Sequence, residues 1–189
     1  MQNDAQKTAL LVMDMQNSIV SRYANNEEIL QPFQKAVEAA RQRSIPVIFI
    51  RVGFSEGYPE ISPRNKMFAG SAQRGGMTTD SDATEIHESL KPQPGEPVVT
   101  KVRVSAFAGS TLEVILRAKQ IDSLVLCGIS TSGVVLSTLR EAADKDFALT
   151  VLSDACLDAD PEVHRVLMEK VFPRQAEVLT ADGWIDSQS

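Results

Sequence analysis

The chain has 189 residues, with 19 basic and 25 acidic side chains, for a formal charge of −6 and a pI near 5.0. That length suits one domain spanning residues 1–189, with enough interior to fold without disulfide or metal. The acidic balance argues against nucleic acid or an anionic membrane surface as partner. Met1 to Lys7 is polar and reads as no secretory leader, no apolar run approaches the ~18 residues of a membrane helix, and Cys127 and Cys156 form no paired framework. The expectation is a cytoplasmic protein.

Apolar, largely β-branched or leucine-rich runs at Thr8 to Met13, Pro46 to Arg51, Pro97 to Thr100, Ser123 to Cys127, Ala148 to Leu152 and Ala176 to Thr180 predict six strands. Between them lie amphipathic stretches. Phe33, Val37 and Ala40 repeat at helical spacing behind Pro32. Ser110 with Glu113 reads as a capping box, and Asp160, Pro161 and Glu162 as N-cap, first-turn proline and first-turn carboxylate. Strands apolar on both faces that alternate with helices call for a parallel sheet covered on both sides, a three-layer α/β/α arrangement. Ligands in such sheets bind beyond the carboxyl ends of the strands, where strand order reverses.

The segment from Val52 to Asp80 breaks the alternation with five glycines, two prolines and no clear period. Two readings fit it: a solvated loop or subunit contact, and a functional lid. As a lid it offers the cations Arg64, Lys66 and Arg74 beside the rings of Phe54, Tyr58 and Phe68, a set suited to a small carboxylate. Glu56 and Glu60 share the segment and would counter those charges.

Three strand ends carry chemistry-bearing residues. Asp14 follows the first strand, where a carboxylate is either a turn cap or a working acid. Lys101 follows the third, as a solvated end or a partner for an anion. After the fourth, Gly128-Ile129-Ser130-Thr131-Ser132-Gly133-Val134 is a small-residue turn into a helix, with backbone N–H groups available to an anion. Ser132, Asp154 and His164 fall in the order of an α/β-hydrolase triad, but the glycine spacing of the turn is off by one.

The order of L-x-M-D-M-Q at Leu11 to Gln16, T-K-x-x-x-S-A-F at Thr100 to Phe107 and G-I-S-T-S-G-V-V at Gly128 to Val135 resembles the isochorismatase-like hydrolase superfamily, which includes cysteine hydrolases such as nicotinamidases. The resemblance implies a Rossmann-like six-stranded parallel sheet in the order 3-2-1-4-5-6. It also implies a homo-oligomer, dimer or tetramer, and a non-proline cis peptide between Ile129 and Ser130. Asp14 and Lys101 match the family's acid and cation, whereas the position of the nucleophilic thiol matches Val134, which has no lone pair to offer. Gln16, Phe107, Ile129, Ser130, Thr131 and Gly133 are the expected substrate contacts. The metal-binding cluster of some relatives has no counterpart after the second strand, so neither metal nor cofactor is expected. The activity implied is hydrolysis of a small, carboxylate-bearing molecule by Asp14 acid/base catalysis with water attack. The alternatives are a silent binding protein that keeps the fold and an amidase with a displaced nucleophile.

Overall fold

The computed structural model describes residues 7–24 and 26–187. The opening residues Met1 to Gln6, part of the stretch read above as no leader, lie outside the described residues.

Six strands, β1 (Thr8–Met13), β2 (Val47–Val52), β3 (Val98–Lys101), β4 (Ser123–Ile129), β5 (Ala148–Leu157) and β6 (Glu177–Leu179), form one sheet in the order β3-β2-β1-β4-β5-β6. Every pairing is parallel. Alternation along β1 shows why the sheet must be covered twice. Ala9, Leu11 and Met13 enter one core with Leu112, Leu116, Leu139, Ala142 and Phe172, while Leu10 and Val12 enter the other with Phe33, Val37, Ala40 and Trp184. The first core is roofed by α4 (Leu112–Ala118) and α5 (Leu136–Asp144), the second by α2 (Gln31–Gln42) and α7 (Ala181–Ser187). Among the described residues no helix is long and apolar enough to cross a membrane.

The predicted face of α2 is the one buried. At α6 (Pro161–Val166) the Asp160 carboxylate accepts from the N–H groups of Glu162 and Val163, as its spacing predicts. The capping box expected of Ser110 and Glu113 does not form, because the N-cap of α4 is Thr111, which makes no side-chain bond. Ser110 Oγ accepts from Leu112 N at 3.1 Å, but Glu113 turns to Lys145 Nζ at 2.8 Å, because an ammonium outbids a backbone amide for a carboxylate. Strand β5 runs five residues beyond its predicted end, through a register shift opposite Leu126 and Gly128.

Two short helices flank the cleft at the carboxyl edge, α1 (Asn17–Tyr23) directly after β1 and α3 (Ala69–Arg74) inside the long crossover from β2 to β3. Strand order reverses between β1 and β4, so that edge gapes where the sequence carries Asp14 and the 128–135 turn. At that junction Gly128 has φ 151°, and a Cβ there would lie 2.3 Å from Met13 O. Only glycine lets the two strand ends come this close.

Candidate active site

Asp14 is the residue at which β1 stops. Its φ of 56° is a left-handed conformation that aspartate tolerates better than most side chains, and its N–H still donates to Ile50 O at 2.8 Å. Lys101 ends β3, and the Asp14–Lys101 approach must span β2, roughly 10 Å of sheet. The lysine stem spans it: Nζ lies 2.9 Å from Asp14 Oδ2 and donates to Arg103 O at 3.0 Å. Both residues are deeply buried, Asp14 at 5% and Lys101 at 1% exposure.

Asp14 Oδ1 is buried and accepts no hydrogen bond. Burial raises the Asp14 carboxyl above the ordinary aspartate range, and Lys101 draws it part of the way back. The pair forms part of the wall of a cavity of about 460 Å³, within the range of small-molecule sites.

Ile129, Ser130, Gly133 and Val134 supply another wall. The Ile129–Ser130 peptide is cis, and Thr131–Val135 forms a widened helical turn that runs into α5, closed by Val135 N donating to Ser130 O. A Cβ on Gly133 would lie 2.6 Å from Ser130 Oγ, so a larger residue there would have to turn that hydroxyl aside. Its amides are less free than the sequence suggests: Ser132 N donates to Asp158 Oδ2, and Gly133 N to Ser130 O.

Three expected contacts lie elsewhere. Gln16 is fully buried and clasps β2, with Nε2 donating to Val52 O at 2.9 Å and Oε1 accepting from Val52 N at 2.8 Å. Its neighbour Asp14 faces the cavity while Gln16 serves the sheet edge. Phe107 packs into the core against Phe147, with Lys145 over its ring. Thr131 is buried, its Oγ1 2.8 Å from His164 Nδ1. That contact also separates the serine triad, since Asp154 Oδ1 accepts from Ala181 N at the head of α7.

The 52–80 segment folds over the cavity, but its named residues divide. Phe54 is buried against Tyr58 and Phe68 and builds the segment's own interior, and Tyr58 OH accepts from Met77 N at 3.1 Å. Arg64 and Lys66 are exposed and do not line the cavity, whereas Arg74 does. Glu60 is held by Ser55 through both N–H and Oγ and takes no part in the wall. Sequence reasoning missed Ser18, Ile19, Arg22 and Tyr23, which also line the cavity. Their i, i+4 spacing puts them on one face of α1, and that spacing was the available signal.

Cys127 and Cys156 are buried in the sheet and neither lines the cavity. Burial lifts the Cys127 thiol well above its ordinary value and pushes Cys156 up to about 12. Among the described residues no three His, Cys, Asp or Glu side chains gather as a metal site would require.

The fold recurs in solved structures. A cysteine hydrolase from Pseudomonas syringae pv. phaseolicola superimposes with a TM-score of 0.85 at 25% identity, covering 95% of this chain and 91% of that one. N-carbamoylsarcosine amidase from Thermoplasma acidophilum does so with a TM-score of 0.76 at 27% identity, covering 94% and 98%. In sequence, the ureidoacrylate amidohydrolase RutB of Pseudomonas savastanoi pv. phaseolicola is 32% identical over 206 residues, covering 96% of this chain and 80% of the relative. The isochorismatase domain matches residues 8–183, which takes in every strand and all the cavity residues named above. By its strand order and by this match along almost its whole length, the chain belongs to the isochorismatase family of hydrolases.

Proposed function

We propose that the cavity hydrolyses a small carboxylate-bearing molecule by proton transfer at Asp14 and direct attack of water, with no thiol nucleophile. The observation that carries this reading is the Asp14 carboxylate itself. One oxygen is held by Lys101, and the other is buried without a partner in a residue that forms part of the cavity wall. An unsatisfied buried acceptor is costly unless a ligand or water completes it.

The raised carboxyl holds its proton more readily than a solvated aspartate, as a general acid must, and once ionised it is a stronger base toward water. In one turnover Asp14 takes a proton from the attacking water and returns one to the departing atom, so its own protonation state is restored. Lys101 keeps the carboxylate oriented and compensates its charge. Val134 lines the cavity, and its match to the position of the thiol in the G-I-S-T-S-G-V-V motif supports a route without a covalent enzyme intermediate. The names of the amidohydrolase and amidase relatives favour a C–N bond over an enol ether C–O bond.

A second reading, a binding protein that keeps the fold without turnover, draws on the same valine. Screening the wild-type protein and Asp14→Asn against ureido acids, amides and enol ethers separates the two. Turnover that disappears in the variant is the expected result. Wild-type turnover that the variant retains would remove Asp14 from the mechanism, and binding without any turnover would favour the second reading.

A further inference from the structure

We infer that Arg22 of α1 and Arg74 of α3 form the acid-recognising end of the cavity, so that its substrate is a short carboxylate whose hydrolysable bond lies at the opposite end, beside Asp14. This rests on the hydrolytic reading above and adds which side chains select the molecule and which way round it enters.

The charges lining the cavity are Asp14, Lys101, Arg22 and Arg74. Lys101 is matched by Asp14 at 2.9 Å, which leaves two guanidinium groups without a carboxylate. Elsewhere in the molecule Arg41, Arg51, Arg117 and Arg165 each hold a glutamate. Among the described residues Arg22 and Arg74 make neither an ion pair nor a side-chain hydrogen bond. Two like charges sharing one cleft repel each other, and an anion between them relieves that repulsion.

Each arginine stands in the last turn of its helix, where a cation is favoured by the helix dipole. That explains a positive charge at either place but not two side chains that line the same cavity. Arg74 also has space made for it: its guanidinium lies over Gly70, where a Cβ would come within 2.9 Å of Nη1. The planar forks suit a carboxylate, which a single ammonium would grip less specifically. Both arginines are exposed whereas Asp14 is buried, so the acid group sits at the mouth and the reacting bond at the floor.

The test is calorimetric titration of the full-length protein with ureidoacrylate and N-carbamoylsarcosine, each beside its primary carboxamide, which has the same shape without the charge. The expected result is tighter binding of at least one acid than of its carboxamide. Arg22→Gln and Arg74→Gln should each weaken acid binding about ten- to a hundredfold while leaving carboxamide binding unchanged. The double variant should lose the preference. Arg64→Gln with Lys66→Gln, two cations outside the cavity, should keep it. Equal binding of acid and carboxamide, no binding of either acid at about 10 mM, a preference that survives the double variant, or one lost in the Arg64/Lys66 control would each overturn the inference. Asp14→Asn separates this from the mechanism: it should keep the preference for the acid whether or not it abolishes turnover, so the two ideas fail independently.

Discussion

Lys101 and Asp14 meet at 2.9 Å although the strands that carry them are not neighbours. The lysine stem crosses the place of β2, and the two charges are buried together at the one edge of the sheet where strand order reverses. Removing one partner strands the other in the interior. Lys101→Met should therefore destabilise the protein by about 3–5 kcal/mol, read by urea unfolding. Adding Asp14→Asn should recover part of that loss, giving a double variant more stable than the sum of the two single changes predicts. Strict additivity would show that the pair is not coupled.

Acidity at Asp14 has a definite sign. Its carboxyl is raised above the ordinary value of 3.8, so between that pH and its own midpoint the folded protein binds more protons than the unfolded chain. The stability that this residue contributes is complete below 3.8 and declines as pH rises through the folded midpoint, at up to about 1.4 kcal/mol per unit. Carbon-13 titration of the side chain should place the midpoint above 3.8, with the same midpoint on one limb of the pH–rate profile and no such limb in Asp14→Asn. A midpoint at or below the ordinary value would reject this account.

Thiol reagents should be silent on the native protein. With Cys127 and Cys156 buried and their ionisation suppressed, iodoacetamide at pH 8 should leave mass and activity unchanged, whereas denaturant should release both thiols. Val134→Cys should add one thiol that reacts in the folded state, because position 134 lines the cavity. Failure of that thiol to label would place position 134 out of reach of the cleft.

Gln16 is predicted to matter for stability more than for chemistry. Gln16→Ala leaves Val52 N and Val52 O unpaired inside the protein, which should cost about 2–4 kcal/mol and lower Tm by roughly 5–15 °C. A loss of turnover with unchanged Tm would return Gln16 to the reacting centre.

The parts of this molecule legible in the sequence are those whose environment is uniform. Strands buried on both faces leave unbroken apolar runs, and β1 and β4 are buried along nearly their entire lengths. Helix α2 shows its face because Phe33, Val37 and Ala40 all meet one core. Residues that answer to a single neighbour are harder to read. Gln16 and Asp14 are two positions apart, yet the backbone reverses its usual hand at Asp14, and proximity in sequence says nothing of which side chain turns into the cleft. Phe107 closes a recognisable motif but spends its ring on Phe147. Helix α3 is six residues long and begins Ala-Gly, too short to display a period, and Arg22 reads as an ordinary solvated helix charge until α3 is seen across from it.

The crossover between β2 and β3 is fastened near its base by the bridge of Phe54 to Thr78 and by the tether from Tyr58 to Met77. The stretch between those two clasps contributes Met67, Phe68, Ser71 and Arg74 to the cavity, whereas Asp14 and Lys101 come from the ends of β1 and β3. The part of the wall that comes from this crossover and the buried ion pair are thus carried by separate stretches of chain, so that changes of shape at the mouth fall on different residues from changes of charge at the floor.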